Sequence, residues 1–262
     1  MGVWKLERHG AVAVLTFNRP PQNMLDIAAS DELAARLAEL AQLTKDVSVV
    51  LLTGAMDGYF IAHFDIPDLA RIGRGEVPKS AIAGYDRALA WLEQMPQPTI
   101  AAIDGQAWGG GSELALACSL RIGSERVNLG QPEVRVGLIP GAGGTQRLQR
   151  LIGRGAAYDI ILGARIVKAD EALRLGWLNA VLPVKDFRNA SIQWATEIAR
   201  HPAEALFAAK RALGLAHRVP QQDLDQEREL FWGLVESSTT FKARAAQDEG
   251  GRASATGAVQ RR

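Results

Sequence analysis

The chain has 262 residues and a net charge of +1 at pH 7, and 47% of its residues are hydrophobic and 23% charged. This length suits one α/β domain with an appendage, and the apolar fraction is ample for a large core. The near-neutral charge argues against a nucleic-acid-binding surface, because such surfaces normally carry a strong basic excess.

Cys118 is the only cysteine, so an intrachain disulfide cannot form and nothing favours an oxidising compartment. Its apolar neighbours, Leu114 to Ala117, indicate a buried and unreactive thiol. No apolar run approaches the ~20 residues of a membrane span, and strand-like sequence begins near residue 3 without a secretory or transit pattern. The sequence therefore predicts a cytoplasmic protein with no membrane interaction.

The N-terminal segment predicts a β-hairpin. Apolar and polar residues alternate over 3–9 and less strictly over 11–17, on either side of Gly10. Two prolines then break the pattern in the Asn- and Pro-containing segment 18–25. By itself, that segment predicts only a turn.

Alternating helices and strands follow. Leucines at helical spacing predict a helix from Ser30, with Ser30 as its N-cap, and the run 48–53 predicts a buried strand. A polar loop is expected over 71–78, and a further helix over 80–95. Such alternation indicates parallel strands with helices packed outside the sheet.

The next segment combines a strand, a glycine loop and a helix. The β-prone run 99–103 leads to Gly109-Gly110-Gly111 and then to a helix-like run that begins with Glu113. Glycine lets a backbone approach a ligand closely, and the first N–H groups of a helix lack intrahelical partners and carry partial positive charge. Such a turn suits a developing oxyanion, although Glu113 alone could be an ordinary helix-start acid.

A second glycine-rich stretch, 130–146, contains Glu133 within a Gln-Pro-Glu turn. Its run Gly141 to Thr145 lacks the spacing and the Lys-Ser/Thr ending of a phosphate-binding loop, so it predicts a tight turn into a helix. Beyond it the composition becomes helical, and the final segment is small and polar, which predicts disorder. The helices predicted in this C-terminal part span 187–200, 202–216 and 224–235.

Together, these stretches resemble the crotonase superfamily of enoyl-CoA hydratases and isomerases. Gly-Gly-Gly-Ser-Glu-Leu at 109–114 is followed by Gly-Gln-Pro-Glu at 130–133 and by the glycine-rich run 137–148. The resemblance extends from about Val3 to Glu249. It implies an α/β fold with a ββα superhelix core and a helical C-terminal trimerisation region. The expected divisions are a core over 1–185, an oligomerisation region over 186–247 and a disordered tail over 248–262.

The resemblance also implies the residues of the active site. Phe64 and Gly110 would supply the two backbone N–H groups of an oxyanion hole, and Glu113 and Glu133 would be the catalytic carboxylates. Glu133 would be the main proton-transfer group, and Glu113 its partner in activating water. The residues expected to contact the substrate or its CoA moiety are Asn23, Met24, Leu25, Ala62, Asp65, Ile66 and Gly109.

His63 and Phe64 stand where the family usually has glycine and alanine. A histidine would strain any positive-φ backbone at this position, and the Phe64 ring would alter the acyl pocket. His63 is interpreted as a pocket residue or a hydrogen-bonded scaffold residue, with a catalytic His63 as the alternative.

The implied activity is reversible syn hydration of a 2-enoyl-CoA thioester to a 3-hydroxyacyl-CoA, in fatty acid or related acyl-CoA metabolism. Coenzyme A would enter as part of the substrate, so no separate cofactor and no metal is expected, and the chain is expected to form a homotrimer or a dimer of trimers. The alternatives are another crotonase reaction, namely isomerisation, specialised dehydration, hydrolysis or C–C cleavage, and a CoA-ester-binding paralogue without catalysis. Two glutamates favour the hydratase, because isomerases of this family often rely on one. A Rossmann-type nucleotide enzyme is disfavoured, since no dinucleotide fingerprint follows the first strand.

Overall fold

The strands of the chain form two sheets. The computed structural model describes residues 2–217 and 219–259. The strands in these ranges are β1 (Trp4–His9), β2 (Val12–Phe17), β3 (Val49–Gly54), β4 (Thr99–Ile103), β5 (Gln106–Trp108), β6 (Leu120–Ser124), β7 (Asn128–Gly130), β8 (Ile166–Lys168) and β9 (Ala180–Leu182). The six-stranded sheet has the order β1-β2-β3-β4-β6-β9, and the three-stranded sheet has the order β5-β7-β8.

Helices surround these sheets. The α-helices are α1 (Ile27–Gln42), α2 (Ile66–Gly73), α3 (Ala83–Gln94), α4 (Gly110–Ala117), α5 (Gly144–Ile152), α6 (Arg154–Leu162), α7 (Ala169–Arg174), α8 (Phe187–Ala199), α9 (Ala203–His217), α10 (Gln221–Ser237) and α11 (Thr239–Val259). Two short 3₁₀ helices span Lys79–Ile82 and Glu133–Val136. Within the described ranges, no helix combines the length and apolar character needed to cross a membrane.

The larger sheet has helices on both faces. The predicted hairpin is confirmed, because β1 pairs antiparallel with β2, and the pairs β2–β3, β3–β4, β4–β6 and β6–β9 are parallel. Successive residues of a strand point to opposite faces. Val12 and Val14 therefore pack with Phe187 of α8, whereas Ala13 and Leu15 belong to the core cluster that contains the apolar faces of α1 and α3. This arrangement confirms the predicted α/β fold.

The smaller sheet brings the two glycine-rich stretches together. Parallel pairing of β5 with β7 sets Trp108 opposite Gly130, and the Gly109 N–H donates to the Gly130 carbonyl at 3.0 Å. The α4 helix begins immediately after Gly109, and the 3₁₀ helix that begins at Glu133 follows β7. The two glutamates are therefore carried by neighbouring chain segments.

Two helix starts differ from the sequence prediction. Helix α1 begins at Ile27, and its N-cap is Asp26, whose carboxylate accepts from the Ala29 N–H at 2.7 Å. Ser30 lies inside the helix instead, and its hydroxyl donates to the Asp26 carbonyl. Helix α3 begins at Ala83, because the preceding turn is a 3₁₀ helix. The predicted polar loop over 71–78 is shorter, since α2 continues through Gly73.

The C-terminal helices return to the core. Phe231, Trp232 and Val235 of α10 are buried, and a Cβ placed on Gly73 of α2 would lie 2.7 Å from the Val235 side chain. Helix α11 runs through Val259 and so covers most of the segment for which the sequence predicts disorder. Residues 260–262 lie outside the described residues.

Candidate active site

The backbones of Phe64 and Gly110 lie side by side. A Cβ placed on Gly110 would come within 2.9 Å of the Phe64 Cβ and 3.1 Å of the Phe64 nitrogen. Gly110 is the first residue of α4, so its N–H has no intrahelical partner. Within the described part of the chain, neither the Phe64 N–H nor the Gly110 N–H donates a hydrogen bond. The two N–H groups predicted for the oxyanion hole are therefore adjacent and available to an acceptor.

The loop before Phe64 orients its N–H group. Leu25 forms an isolated parallel bridge with Phe64, in which the Leu25 N–H donates to the His63 carbonyl at 3.0 Å. The Asp65 N–H donates to the Leu25 carbonyl at 2.8 Å. Because the two flanking residues make these bonds, the Phe64 N–H points away from Leu25.

Glycine is required at two further positions beside this pair. Gly109 has a φ of +47°, and a Cβ there would lie 2.9 Å from Oε1 of Glu133. A Cβ on Gly111 would lie 1.9 Å from the Ile61 carbonyl oxygen. The run of three glycines is thus explained by the positive φ of Gly109 and by the close approach of Gly110 and Gly111 to neighbouring chain segments.

Glu113 is a buried carboxyl held by backbone donors. The residue is 4% exposed, and its Oε1 accepts from the Ala142 N–H at 2.7 Å and from the Gly144 N–H at 3.0 Å. Burial, followed by the charge of Glu227, raises the pKa of Glu113 to about 7, while the two backbone donors oppose this shift. Glu113 can therefore exchange a proton near neutral pH.

The environment of the Glu133 carboxyl stabilises a negative charge less well than that of Glu113. Its Oε2 is buried and has no hydrogen-bond partner among the described residues. Burial first, and then the negative charge of Glu113, raises the pKa of Glu133 well above its usual range. Because Glu113 has two backbone donors to stabilise its ionised form, the arrangement favours a proton on Glu133 and a charge on Glu113. The two carboxyls titrate as a coupled pair.

Glu227 is a third buried carboxyl, which the sequence prediction missed. It lies on α10, is 4% exposed, and accepts from the backbone N–H of Thr145 at 3.0 Å. The available signal was its spacing, because Leu224, Glu227 and Phe231 recur at helical intervals on one face of the predicted C-terminal helix. A glutamate on an otherwise apolar face indicates a buried polar contact.

Tyr85 was also missed. It is buried, and its hydroxyl donates to the Gly110 carbonyl. The Tyr85 ring lies 5.4 Å from the Phe64 ring, measured between centroids. This side chain therefore contacts both residues of the N–H pair from one side.

His63 does not strain the backbone, because it is not among the residues with positive φ. Its imidazole is half-buried, and Nδ1 lies 2.8 Å from the Phe64 carbonyl oxygen. This contact places the imidazole against the backbone of the residue that supplies one N–H group of the pair.

The residues predicted to contact substrate fall into two groups. Asn23 and Asp65 are fully buried; the Asn23 amide donates to the Phe60 carbonyl at 2.6 Å, and the Asp65 carboxylate caps α2 by accepting from the Asp68 N–H at 3.2 Å. These two side chains hold the loops that lead to Phe64. The remaining predicted contacts are Leu25, Ala62 and Gly109, which are buried, and Met24 and Ile66, which are partly exposed.

A family model described as enoyl-CoA hydratase/isomerase matches residues 7–250. The chain belongs to the enoyl-CoA hydratase/isomerase family. The resemblance to the crotonase superfamily that the two glycine-rich stretches indicated is thereby confirmed. The match includes both glutamates, the N–H pair and the C-terminal helix that carries Glu227.

Individual members of the family support this assignment. A short-chain-enoyl-CoA hydratase of Clostridium acetobutylicum is 39% identical over 222 residues, which cover 84% of this chain and 83% of that protein. A 2,3-dehydroadipyl-CoA hydratase of Escherichia coli is 36% identical over 230 residues, with 86% and 88% covered. The crystal structure of an enoyl-CoA hydratase from Bacillus anthracis superposes with a TM-score of 0.78 at 33% identity, covering 95% of this chain and 96% of that one.

Proposed function

We propose that this chain catalyses the reversible syn hydration of a 2-enoyl-CoA thioester to a 3-hydroxyacyl-CoA. The observation that carries the proposal is geometric: the Glu113 carboxyl, held by two amides, and the Glu133 carboxyl, beside Gly109, lie next to the free N–H groups of Phe64 and Gly110. Membership of a family whose relatives are named as enoyl-CoA hydratases supports it.

The N–H pair activates the substrate. A thioester carbonyl oxygen that accepts from the Phe64 and Gly110 N–H groups is polarised, and the negative charge that develops on it is stabilised where it forms. In an α,β-unsaturated thioester this polarisation makes the β carbon electrophilic. Loss of one such donor costs about 2.7–4 kcal/mol of transition-state stabilisation in other enzymes.

The two carboxyls divide the proton transfers. Glu113 is the better anion because two N–H groups donate to its Oε1, so its other oxygen accepts a proton from water as the water oxygen bonds to the β carbon. Glu133, which holds a proton more readily, delivers that proton to the α carbon. One water is added across the double bond, and a proton passing from Glu113 to Glu133 restores the starting state.

Turnover of crotonyl-CoA, followed by loss of the conjugated enoyl-thioester absorbance, tests this assignment. Glu113→Gln and Glu133→Gln should each lower kcat by roughly 10²- to 10⁴-fold, the usual contribution of general acid–base catalysis. Glu229→Gln is the matched control, because Glu229 is an exposed glutamate on α10 and its substitution removes the same charge. Activity that is unchanged in Glu133→Gln would contradict the division of roles between the two carboxyls. Binding of crotonyl-CoA by the wild type without turnover would instead favour a specialised substrate, another crotonase reaction or the non-catalytic alternative.

We also propose that the chain assembles as a homotrimer or a dimer of trimers and is cytoplasmic. Large apolar side chains on the C-terminal helices support the assembly, since Leu213 and Leu215 are 70% and 76% exposed in the single chain. The single cysteine is in keeping with a reducing compartment. Light scattering coupled to size-exclusion chromatography tests the assembly, and a monomer at micromolar concentration would contradict it.

A further inference from the structure

The loop that precedes α5 is shared between two buried carboxyls. The N–H groups of Ala142 and Gly144 donate to Glu113, whereas those of Gly143 and Thr145 donate to Glu227. Four successive amides therefore alternate between one carboxyl and the other. The left-handed conformation of Gly143, with a φ of +89°, lies at the centre of this loop.

Both carboxylate oxygens of Glu227 accept hydrogen bonds from this loop. One oxygen accepts from the Gly143 N–H, and the other accepts from the Thr145 N–H and hydroxyl. Burial raises the pKa of Glu227 above its ordinary value, and these three donors oppose that shift by stabilising the ionised form. Among the described residues no lysine, arginine or histidine forms an ion pair with Glu227, because Arg147 pairs with Glu93 and Arg228 with Asp86. Arg147 still favours the ionised form of Glu227 from a greater distance.

Other contacts of α10 and α5 reinforce the loop. Gly141 packs against the Phe231 ring, because a Cβ on Gly141 would lie 2.3 Å from that ring. Phe231 follows Glu227 by one helical turn, so α10 contacts the loop at two adjacent points. Arg147 donates to the Ala142 carbonyl at 2.6 Å and to Glu93 at 2.7 Å. The loop whose amides hold Glu113 is therefore itself held by Phe231 of the distant α10 and by Arg147 of the adjoining α5.

We propose that Glu227 is a positioning residue, which holds loop 142–145 so that its amides bind Glu113 and which supplies a negative charge that keeps the Glu113 carboxyl able to exchange protons. The proposal rests on the proposed hydratase function. It assigns Glu227 no contact with substrate, and its effect on the reaction passes through Glu113.

The negative charge of Glu227 shifts the pKa of Glu113 upward, and only burial has a larger effect. The other groups that act on this pair are Glu133 and Tyr85, whose coupling to Glu113 is repulsive, and Arg147 and Arg228, which favour the carboxylate forms. Neutralising Glu227 should therefore lower the pKa of Glu113 and leave the other charges in place.

The first experiment measures the titration of Glu113 directly, without reference to catalysis. ¹³C-carboxyl NMR of labelled protein, assigned by Glu113→Gln, should show that Glu113 titrates at lower pH in Glu227→Gln than in the wild type. Glu229→Gln, which removes the same charge from an exposed position of α10, should leave the titration unchanged. An equal shift in both variants, or no shift in Glu227→Gln, would overturn the electrostatic role.

The second experiment separates charge from position by kinetics. Glu227→Gln should move the acidic limb of the kcat/KM profile to lower pH, whereas Glu227→Asp, which keeps the charge on a shorter side chain, should lower kcat about 10- to 100-fold with the limb unmoved. Thr145→Ala removes one donor to Glu227 without changing a charge, and should lower kcat severalfold at unchanged KM. This variant keeps the test available if Glu227→Gln does not fold.

The two proposals fail in different ways. A wild type without hydratase turnover would contradict the proposed function, while the NMR titration would still report whether Glu227 controls Glu113. Full turnover in the wild type together with unchanged kcat in Glu227→Asp and Thr145→Ala would overturn the positioning role alone.

Discussion

Substitution of Gly110 by alanine tests the oxyanion-hole geometry. The added methyl carbon would lie 2.9 Å from the Phe64 Cβ and 3.1 Å from the Phe64 nitrogen. Contacts of this length are shorter than normal van der Waals separation, so the two backbones must move apart. The two N–H groups can then no longer meet at one oxygen atom with good geometry.

The expected loss follows from the weakening of one donor. Removing an oxyanion-hole donor costs about 2.7–4 kcal/mol, which corresponds to a 10²- to 10³-fold lower kcat. Overpacking adds a stability cost of about 1–3 kcal/mol. Gly110→Ala should therefore be folded, should have a lower Tm, and should bind the substrate while converting it slowly.

Gly155→Ala is the matched control. Gly155 lies in the first turn of α6, and a Cβ there would meet nothing within 4 Å. The same change of residue should leave kcat unaltered, and should leave Tm unchanged or slightly raised because alanine favours the helix. The assay is the crotonyl-CoA absorbance decrease, with Tm from circular dichroism. A kcat for Gly110→Ala within twofold of the wild type would refute the assignment of Gly110 to the oxyanion hole.

Three further predictions concern the groups around this pair. First, kcat/KM should fall as the pH drops through about 7, because protonation of Glu113 removes the base, and should fall again at higher pH when Glu133 loses its proton; a flat profile between pH 6 and 8 in a rate assay would contradict this. Second, Glu113→Gln should be more stable than the wild type at pH 8 but not at pH 5. A carboxyl whose pKa is raised by folding contributes stability at low pH that is lost as the pH rises. For Glu113 this stability is present below the unfolded pKa of about 4.5 and is lost as the pH rises through about 7. The free energy of unfolding lost in this way is roughly 3 kcal/mol. Urea unfolding at both pH values measures the difference, and equal effects at the two would count against the raised pKa. Third, Tyr85→Phe should cost about 0.5–1.5 kcal/mol in urea unfolding, since it removes one of the donors to the Gly110 carbonyl, which also accepts within α4; an unchanged unfolding midpoint would show that the hydrogen bond contributes nothing.

Secondary structure was predicted correctly where the residues of a single segment determine it. Alternation over 3–17 predicted the β1–β2 hairpin, and the apolar runs predicted β3 and β4. The leucine spacing predicts a start of α1 at Ser30, because it marks only the buried face of the helix, whereas the cap is Asp26. Both residues are good N-caps, and only the contact of Asp26 with Ala29 decides between them.

The site residues also divide into those that local sequence predicts and those that only tertiary contacts reveal. The glycine-rich motifs identified Glu113 and Glu133 as candidates, and family resemblance assigned them roles. The sequence contained no indication that Glu113 would share a loop with Glu227, whose carboxylate accepts from Gly143, 84 positions away along the chain. For His63, the sequence alone does not show whether the backbone is strained, whereas the structure shows that its φ is not positive.

By itself, the sequence determined that the chain is an α/β protein of the enoyl-CoA hydratase/isomerase family, with two glutamates beside glycine loops. The fold class follows from strand alternation and helix spacing and the family from the resemblance of the glycine motifs, all of which are local properties of the chain. Only the tertiary structure showed that the Phe64 and Gly110 N–H groups lie side by side without an acceptor, which carboxyl of the pair holds its proton more readily, and that α10 supplies a third carboxyl. These properties depend on burial, donor count and the distance between charges, all of which arise when segments far apart in the chain pack together.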